Sequence, residues 1–294
     1  MLAALLAAIA AYAGVANQVA QLSPREKAAL LVVSSPPAPR GVAGLLVHPW
    51  ETNEPRPRRA LVFVDQEGGP VRAYPSLPPT RAAAAYTTSG QAFAAGKKTA
   101  LALRREGVQV DLAPVLDSPD GPLGSRQFRK AAFAVAFARG LAAGDVAACA
   151  KHFPGLGSTS ESTDSRRPVH GVVRPWEVAG FRAAVRAGVP CVMVSHAIYP
   201  RFGSRPASVS PGAYELLRET GFDGIAITDE LGVLGSAGAP RWARLAVLAG
   251  ADLVLFSSPR DAGRAIAALV PLAKRGLLDA HATRVLLFRN RFLD

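Results

Sequence analysis

Leu61-Val62-Phe63-Val64 runs straight into Asp65, and four further apolar runs in this chain end in the same manner. Val108 to Leu112 continues through Ala113-Pro114-Val115-Leu116 to Asp117. Val146-Ala147-Ala148-Cys149-Ala150 ends at Lys151-His152, Cys191-Val192-Met193-Val194 at Ser195-His196, and Ile225-Ala226-Ile227 at Thr228-Asp229. Short apolar runs without polar alternation are what strands buried on both faces require. Polar side chains gathered where such strands end describe the active-site face of a (β/α) barrel. The expected fold class is therefore α/β, a (β/α)8 TIM-type barrel.

The segments between these runs fit that architecture. Helical patterns lie near 90–106, 127–143, 175–187, 211–219, 240–249 and 260–274. Those at 175 and 211 begin with proline and stop at Gly188 and Gly221, the asymmetry expected of helix ends. Ser23-Pro24-Arg25-Glu26 reads as a capping box that starts a helix through about Leu31. Val42 to Val47 reads as the first strand. The next connection, His48 to Arg59, is short for a helical crossover and carries Pro55 and Pro57, so this early βα unit looks eroded. An open doubly wound sheet is the alternative architecture. No Gly-x-Gly-x-x-Gly follows an early strand, so dinucleotide binding has no support.

A chain of 294 residues, 49% hydrophobic and 19% charged, suits one barrel domain over residues 17–294. Its net charge of +12 comes from scattered arginines with no basic-aromatic stripe, so a solvated basic surface is expected and no nucleic-acid partner. Cys149 and Cys191 each sit inside an apolar run and read as buried free thiols, with a bridge between neighbouring strands as the alternative. Residues 1–16 are almost wholly apolar but too short to span a bilayer. They form either a signal-like segment with a weak basic region or an extra apolar helix on the domain. The protein is accordingly exported or cytoplasmic, without a stable membrane span.

The chemistry is expected at the strand ends. A carboxylate such as Asp229 or Asp65 at a strand tip can attack an electrophilic carbon, hold a cation, or simply cap a helix. Lys151 and His152 are adjacent, and a strand sends successive side chains to opposite faces, so one of them must bend over the rim. The glycines after Glu67 let something approach the backbone closely. Phe153 to Arg174 is the longest irregular segment and follows a strand end, the usual place for a functional loop. Carboxylates, a lysine, histidines and Arg126 converging on one face suit a neutral polyol. The histidines lack metal-ligand spacing and no cysteine cluster accompanies them, so no metal site is expected.

At this point the chain resembles glycoside hydrolase family 3, in its single-domain β-N-acetylhexosaminidase branch. The matching segments are Val64-Asp65-Gln66-Glu67-Gly68-Gly69, Leu112 to Asp117, Gly124-Ser125-Arg126, Ala150-Lys151-His152-Phe153-Pro154-Gly155, Val192 to His196, Pro206-Ala207-Ser208 with Ser210, and Gly221-Phe222-Asp223-Gly224 through Thr228-Asp229. The resemblance implies a retaining exo-β-N-acetylglucosaminidase that needs no cofactor and works as a monomer on cell-wall fragments or chitin-like oligosaccharides. It makes Asp229 the nucleophile and Asp65, Arg126, Lys151 and His152 the sugar-binding groups, and His196 is counted with them.

The departures are equally specific. In this branch the loop after Lys-His-Phe-Pro-Gly carries an Asp-Ser-His triplet whose histidine is the acid/base. Here the triplet reads Asp164-Ser165-Arg166, Leu156 stands where a histidine is common, and the loop is about two residues longer. Ala73 occupies the place of a second substrate arginine, Arg72 should point the other way, and Pro70 replaces a common arginine. Asp164 and His170 are then the candidates for the missing acid/base. The alternative reading is a carbohydrate-binding relative with lost or weak catalysis, and another β-glycosidase specificity is the third.

Overall fold

The computed structural model describes residues 2–57, 59–165 and 167–293, with side chains described from residue 10 onward apart from these gaps. Arg166, on which the departure at the acid/base position rests, lies outside the described residues.

Eight strands close into a parallel barrel: β1 (Val32–Ser34), β2 (Gly44–Leu46), β3 (Leu61–Val64), β4 (Val110–Asp111), β5 (Ala147–Phe153), β6 (Cys191–Val194), β7 (Ile225–Glu230) and β8 (Leu253–Phe256). Each pairs with the next in sequence, and β8 returns to β1 through Val32–Val254 and Ser34–Phe256. The expected barrel is thus formed, and the open sheet is excluded. The strand interiors are fully buried, which is why the runs show no alternation. Helices Ser89–Arg105, Ala131–Ala142, Pro175–Arg186, Pro211–Glu219, Ala239–Ala249 and Pro259–Lys274 follow β3 through β8 in turn. The first two pack backbone to backbone. A Cβ on Gly96 would lie 2.2 Å from the Phe137 carbonyl oxygen, and one on Gly140 2.2 Å from that of Phe93.

Three details differ from expectation. The first strand is Val32–Ser34, not 42–47. The capped helix Pro24–Ala29 ends in an unbroken apolar run, Ala28 to Val33, with no glycine or proline to mark where helix gives way to strand. Erosion of the early barrel is correspondingly greater, because among the described residues neither β1–β2 nor β2–β3 is connected through a helix. The cysteines are not free thiols. Cys149 and Cys191 are direct partners in the β5–β6 register, with Cα atoms 4.3 Å apart, and they form a disulfide. Residues opposite each other on paired strands point to the same face, a relation that depends on register.

Leu2–Gln21 is helical and packs on the C-terminal helix Asp279–Leu293, burying Val15 and Val19. No helix among the described residues is long and apolar enough to cross a membrane.

Candidate active site

The carboxyl ends of β3, β5 and β7 bring Asp65, Lys151, His152 and Asp229 to one mouth of the barrel. After Asp65 the chain folds into a small hairpin, Gln66–Gly68 against Val71–Arg72. The double glycine serves this hairpin rather than a ligand. A Cβ on Gly68, at φ +101°, would lie 2.4 Å from the carbonyl oxygen of Arg81, so the close approach is made by the protein's own 79–82 segment. Arg72 turns back onto its loop, with Nε donating to the Gly69 carbonyl at 3.0 Å. It does not replace the arginine missing at Ala73.

The hairpin buries Glu67, which sequence reasoning did not single out. Its carboxylate accepts a two-pronged contact from Arg126, Nε and Nη2 each at 2.8 Å, and lies 2.6 Å from Lys151 Nζ. Lys151 Nζ also donates to Asp65 Oδ1. Two carboxylates and two cations therefore form one chain, Asp65–Lys151–Glu67–Arg126. Burial alone would raise the Glu67 pKa, but Lys151 and Arg126 outweigh it and bring it to about 2. Burial works against the charge on Lys151, yet Asp65 and Glu67 raise its pKa above the usual lysine value. Both cations are thus held charged and oriented, ready to donate to hydroxyl or carbonyl oxygens.

The Lys151–His152 peptide is cis, and both side chains belong to the same mouth of the barrel. His152 Nδ1 lies 2.7 Å from Asp117 Oδ2, while Asp117 Oδ1 accepts from the backbone N–H groups of His152 and Leu156. A carboxylate can only accept here, so Nδ1 carries a proton and Nε2 is left for another partner. Asp117 was read in sequence as the end of an apolar run and part of a matched segment, without a role; the structure gives it this orienting contact.

Asp229 is half-buried at the tip of β7, with Oδ1 accepting from the Glu230 N–H at 2.9 Å. Burial pushes its pKa up, but His196, His152, that N–H and Lys151 together carry it below the usual aspartate value. Its neighbour Glu230 is fully employed in structure, since its carboxylate accepts from the N–H groups of Gly232, Val233 and Ser257. His196 also uses both ring nitrogens within the protein: Nδ1 meets Ser208 Oγ at 2.7 Å, and Nε2 donates to the Glu230 carbonyl at 2.8 Å. It braces the β7 tip from below.

The long loop supplies the remaining titratable groups. Asp164 is exposed on the short helical turn Thr163–Ser165, where Ser162 Oγ donates to its carboxylate at 2.8 Å. Its charge is one of those that raise the pKa of Arg126 against the cost of burial, which places it on the Arg126 side of the mouth. His170 is exposed, and its backbone bridges to Ile198. Glu177 anchors the start of the loop by accepting from the Ser118 and Gly157 N–H groups. Among the described residues no group of three His, Cys, Asp or Glu side chains is arranged to hold a metal ion.

Residues 48–287 match the family model described as the glycosyl hydrolase family 3 N-terminal domain. A β-hexosaminidase of Stenotrophomonas maltophilia strain K279a is 34% identical over 258 residues, spanning 76% of this chain and 77% of its own. The crystal structure of a β-N-acetylhexosaminidase from Beutenbergia cavernae superposes with a TM-score of 0.82 at 26% identity, over 92% of this chain and 99% of that one. A family 3 β-N-acetylglucosaminidase from Paenibacillus sp. FPU-7 gives 0.81 at 26%, over 92% of this chain and 62% of its own.

Proposed function

This chain belongs to glycosyl hydrolase family 3, and we propose that it hydrolyses terminal β-linked N-acetylhexosamine from cell-wall fragments or chitin-like oligosaccharides through a covalent glycosyl-enzyme. Asp229 attacks the anomeric carbon with its free Oδ2 while an acid in the 156–171 loop protonates the departing oxygen. That group then takes a proton from the water that cleaves the ester, so both displacements together retain configuration. Asp65, Lys151, Arg126 and His152 hold the hydroxyl and acetamido groups of the sugar. The reading is carried by Asp229, ionised and fixed among two histidines and a lysine while its neighbour Glu230 is committed to backbone contacts.

The test is intact-mass trapping with an activated fluoroglycoside of N-acetylglucosamine. Wild-type protein gains the mass of one glycosyl unit and Asp229→Asn gains none, because an amide cannot form the ester; the variant also loses turnover while remaining folded. A second reading, a carbohydrate-binding relative with feeble catalysis, is favoured by one observation, Arg166 at the position of the family's acid/base histidine. It predicts N-acetylglucosamine binding with no trapped adduct.

A further inference from the structure

The opposite end of the barrel carries a second concave site. Where β1–β2 and β2–β3 lack helices, a cavity of about 460 Å³ lies between the segments that lead into the first three strands and the C-terminal helix. Leu30, Val42 and Leu286 give it apolar walls, and three arginines, Arg40, Arg59 and Arg289, line it as well. Among the described residues the one acidic side chain lining it is Glu26, whose Oε2 already accepts from the Ser23 N–H at 2.8 Å in the capping box. Among the described residues none of the three guanidinium groups forms an ion pair.

Arg40 and Arg59 are exposed at the rim of this part-apolar cavity, and Arg59 and Arg289 are near enough to repel each other. Arg289 is half-buried, and burial followed by the neighbouring Arg59 charge lowers its pKa. Two other half-buried arginines have a carboxylate beside them, Arg126 with Glu67 and Arg284 with Asp252. An anion with several oxygens would relieve the repulsion between Arg59 and Arg289, and the planar fork suits phosphoryl oxygens best. The apolar walls add a place for a hydrocarbon portion.

We propose that this cavity binds a phosphoryl group carried on an apolar arm, at a site separate from the barrel mouth. The same chemistry is offered by a soluble phosphorylated amphiphile and by an anionic lipid headgroup at a bilayer surface.

Calorimetric titration of the full chain with dodecyl phosphate below its micelle concentration tests this, beside inorganic phosphate and neutral dodecyl maltoside. The double substitution Arg59→Gln with Arg289→Gln should weaken dodecyl phosphate at least tenfold and leave aryl-glycoside hydrolysis unchanged. Arg244→Gln, an exposed arginine in a different groove, should leave binding unaltered. Sedimentation with phosphatidylglycerol vesicles then separates the sources: arginine-dependent co-sedimentation identifies a lipid headgroup, and its absence beside retained dodecyl phosphate binding identifies a soluble ligand. No binding of dodecyl phosphate, equal binding of the maltoside, or equal loss in the Arg244 control would overturn the site. If the double variant fails to fold by circular dichroism, Arg40→Gln is read against the same criteria. None of these outcomes depends on which glycoside the barrel mouth cleaves.

Discussion

Lys151 Nζ lies 2.6 Å from Glu67 Oε1, and both side chains are almost wholly shielded from water. Since Glu67 also clasps Arg126, one buried carboxylate orients two of the cations assigned to the sugar. Removing it strands Arg126 and leaves Lys151 with Asp65 alone. Breaking a buried pair by deleting one partner typically costs about 3–5 kcal/mol, because the remaining charge stays uncompensated. Glu67→Gln, which keeps the shape, should therefore lower stability by an amount in that range in urea unfolding and depress turnover. A loss below about 1 kcal/mol would mean that Lys151 and Arg126 find other partners.

The same contact has a pH signature. The Glu67 pKa falls from 4.5 to about 2 on folding, burial being outweighed by Lys151 and Arg126. A depressed carboxylate contributes stability that is complete above the unfolded value and disappears as pH falls through the folded one. Wild type should lose this contribution between pH 4.5 and about 2, and the acid limb of stability against pH should be shallower in Glu67→Gln.

Asp111 behaves in the opposite sense. It sits wholly buried beneath Asp65, with Oδ1 accepting from the Gln66 N–H at 3.0 Å and Oδ2 without a partner among the described residues. Burial raises its pKa from 3.8 to about 8. A raised carboxyl stabilises the fold most below the unfolded value and loses that contribution as pH rises through the folded one. Asp111→Asn keeps the Oδ1 acceptor and cannot ionise. The variant should be less pH-sensitive than wild type from pH 6 to 9 in thermal unfolding, and identical slopes for the two proteins would show that Asp111 does not titrate there.

The Cys149–Cys191 bridge closes a loop of sequence separation 42. On the chain-entropy scale such a crosslink is worth about 4 kcal/mol. Under denaturing, non-reducing conditions an alkylating agent should add no mass to the purified protein, and reduction should admit two labels and lower the thermal midpoint. Two labels without reductant would identify free thiols.

How much of this was legible follows from range along the chain. Asp65, Lys151, His152 and Asp229 could be read because they end three buried runs, and a parallel barrel sends all such ends to one side. Glu67 could not, since its role arises from a hairpin folding back onto Arg126, 59 positions away. The cysteine bridge stayed ambiguous because a one-residue slip in β5–β6 register would have put the sulfurs on opposite faces. β1 was missed directly after a helix expected to end near Leu31, because no breaker separates the two, though Val32-Val33 is a β-branched pair that could have marked it. His196 was legible as a buried histidine at a strand end, while its engagement on both nitrogens depended on Ser208 and the Glu230 carbonyl reaching it.

The last prediction concerns the proton. Arginine stays charged at any working pH and cannot shuttle one, so Arg166 cannot do the work of the family histidine. The loop's titratable side chains are Glu161, Asp164 and His170. Asp164 is the better placed, being exposed and close enough to Arg126 for its charge to be felt there. His170 ranks second: an imidazole is a common general acid–base group, but its backbone is held by Ile198. Loss of general acid catalysis costs about 10²–10⁴-fold, and the penalty falls on leaving groups that depart as alkoxides. A 4-nitrophenolate departs without help. The protein should therefore cleave 4-nitrophenyl N-acetyl-β-glucosaminide measurably and chitobiose far more slowly. Asp164→Ala should slow chitobiose more than the aryl substrate, and azide should restore the second step by trapping the glycosyl-enzyme as a glycosyl azide. If chitobiose is cleaved as fast as the aryl glycoside, and neither Asp164→Ala nor His170→Ala alters the ratio, the acid lies outside this loop. If neither substrate is cleaved while N-acetylglucosamine still binds, the carbohydrate-binding reading replaces the catalytic one.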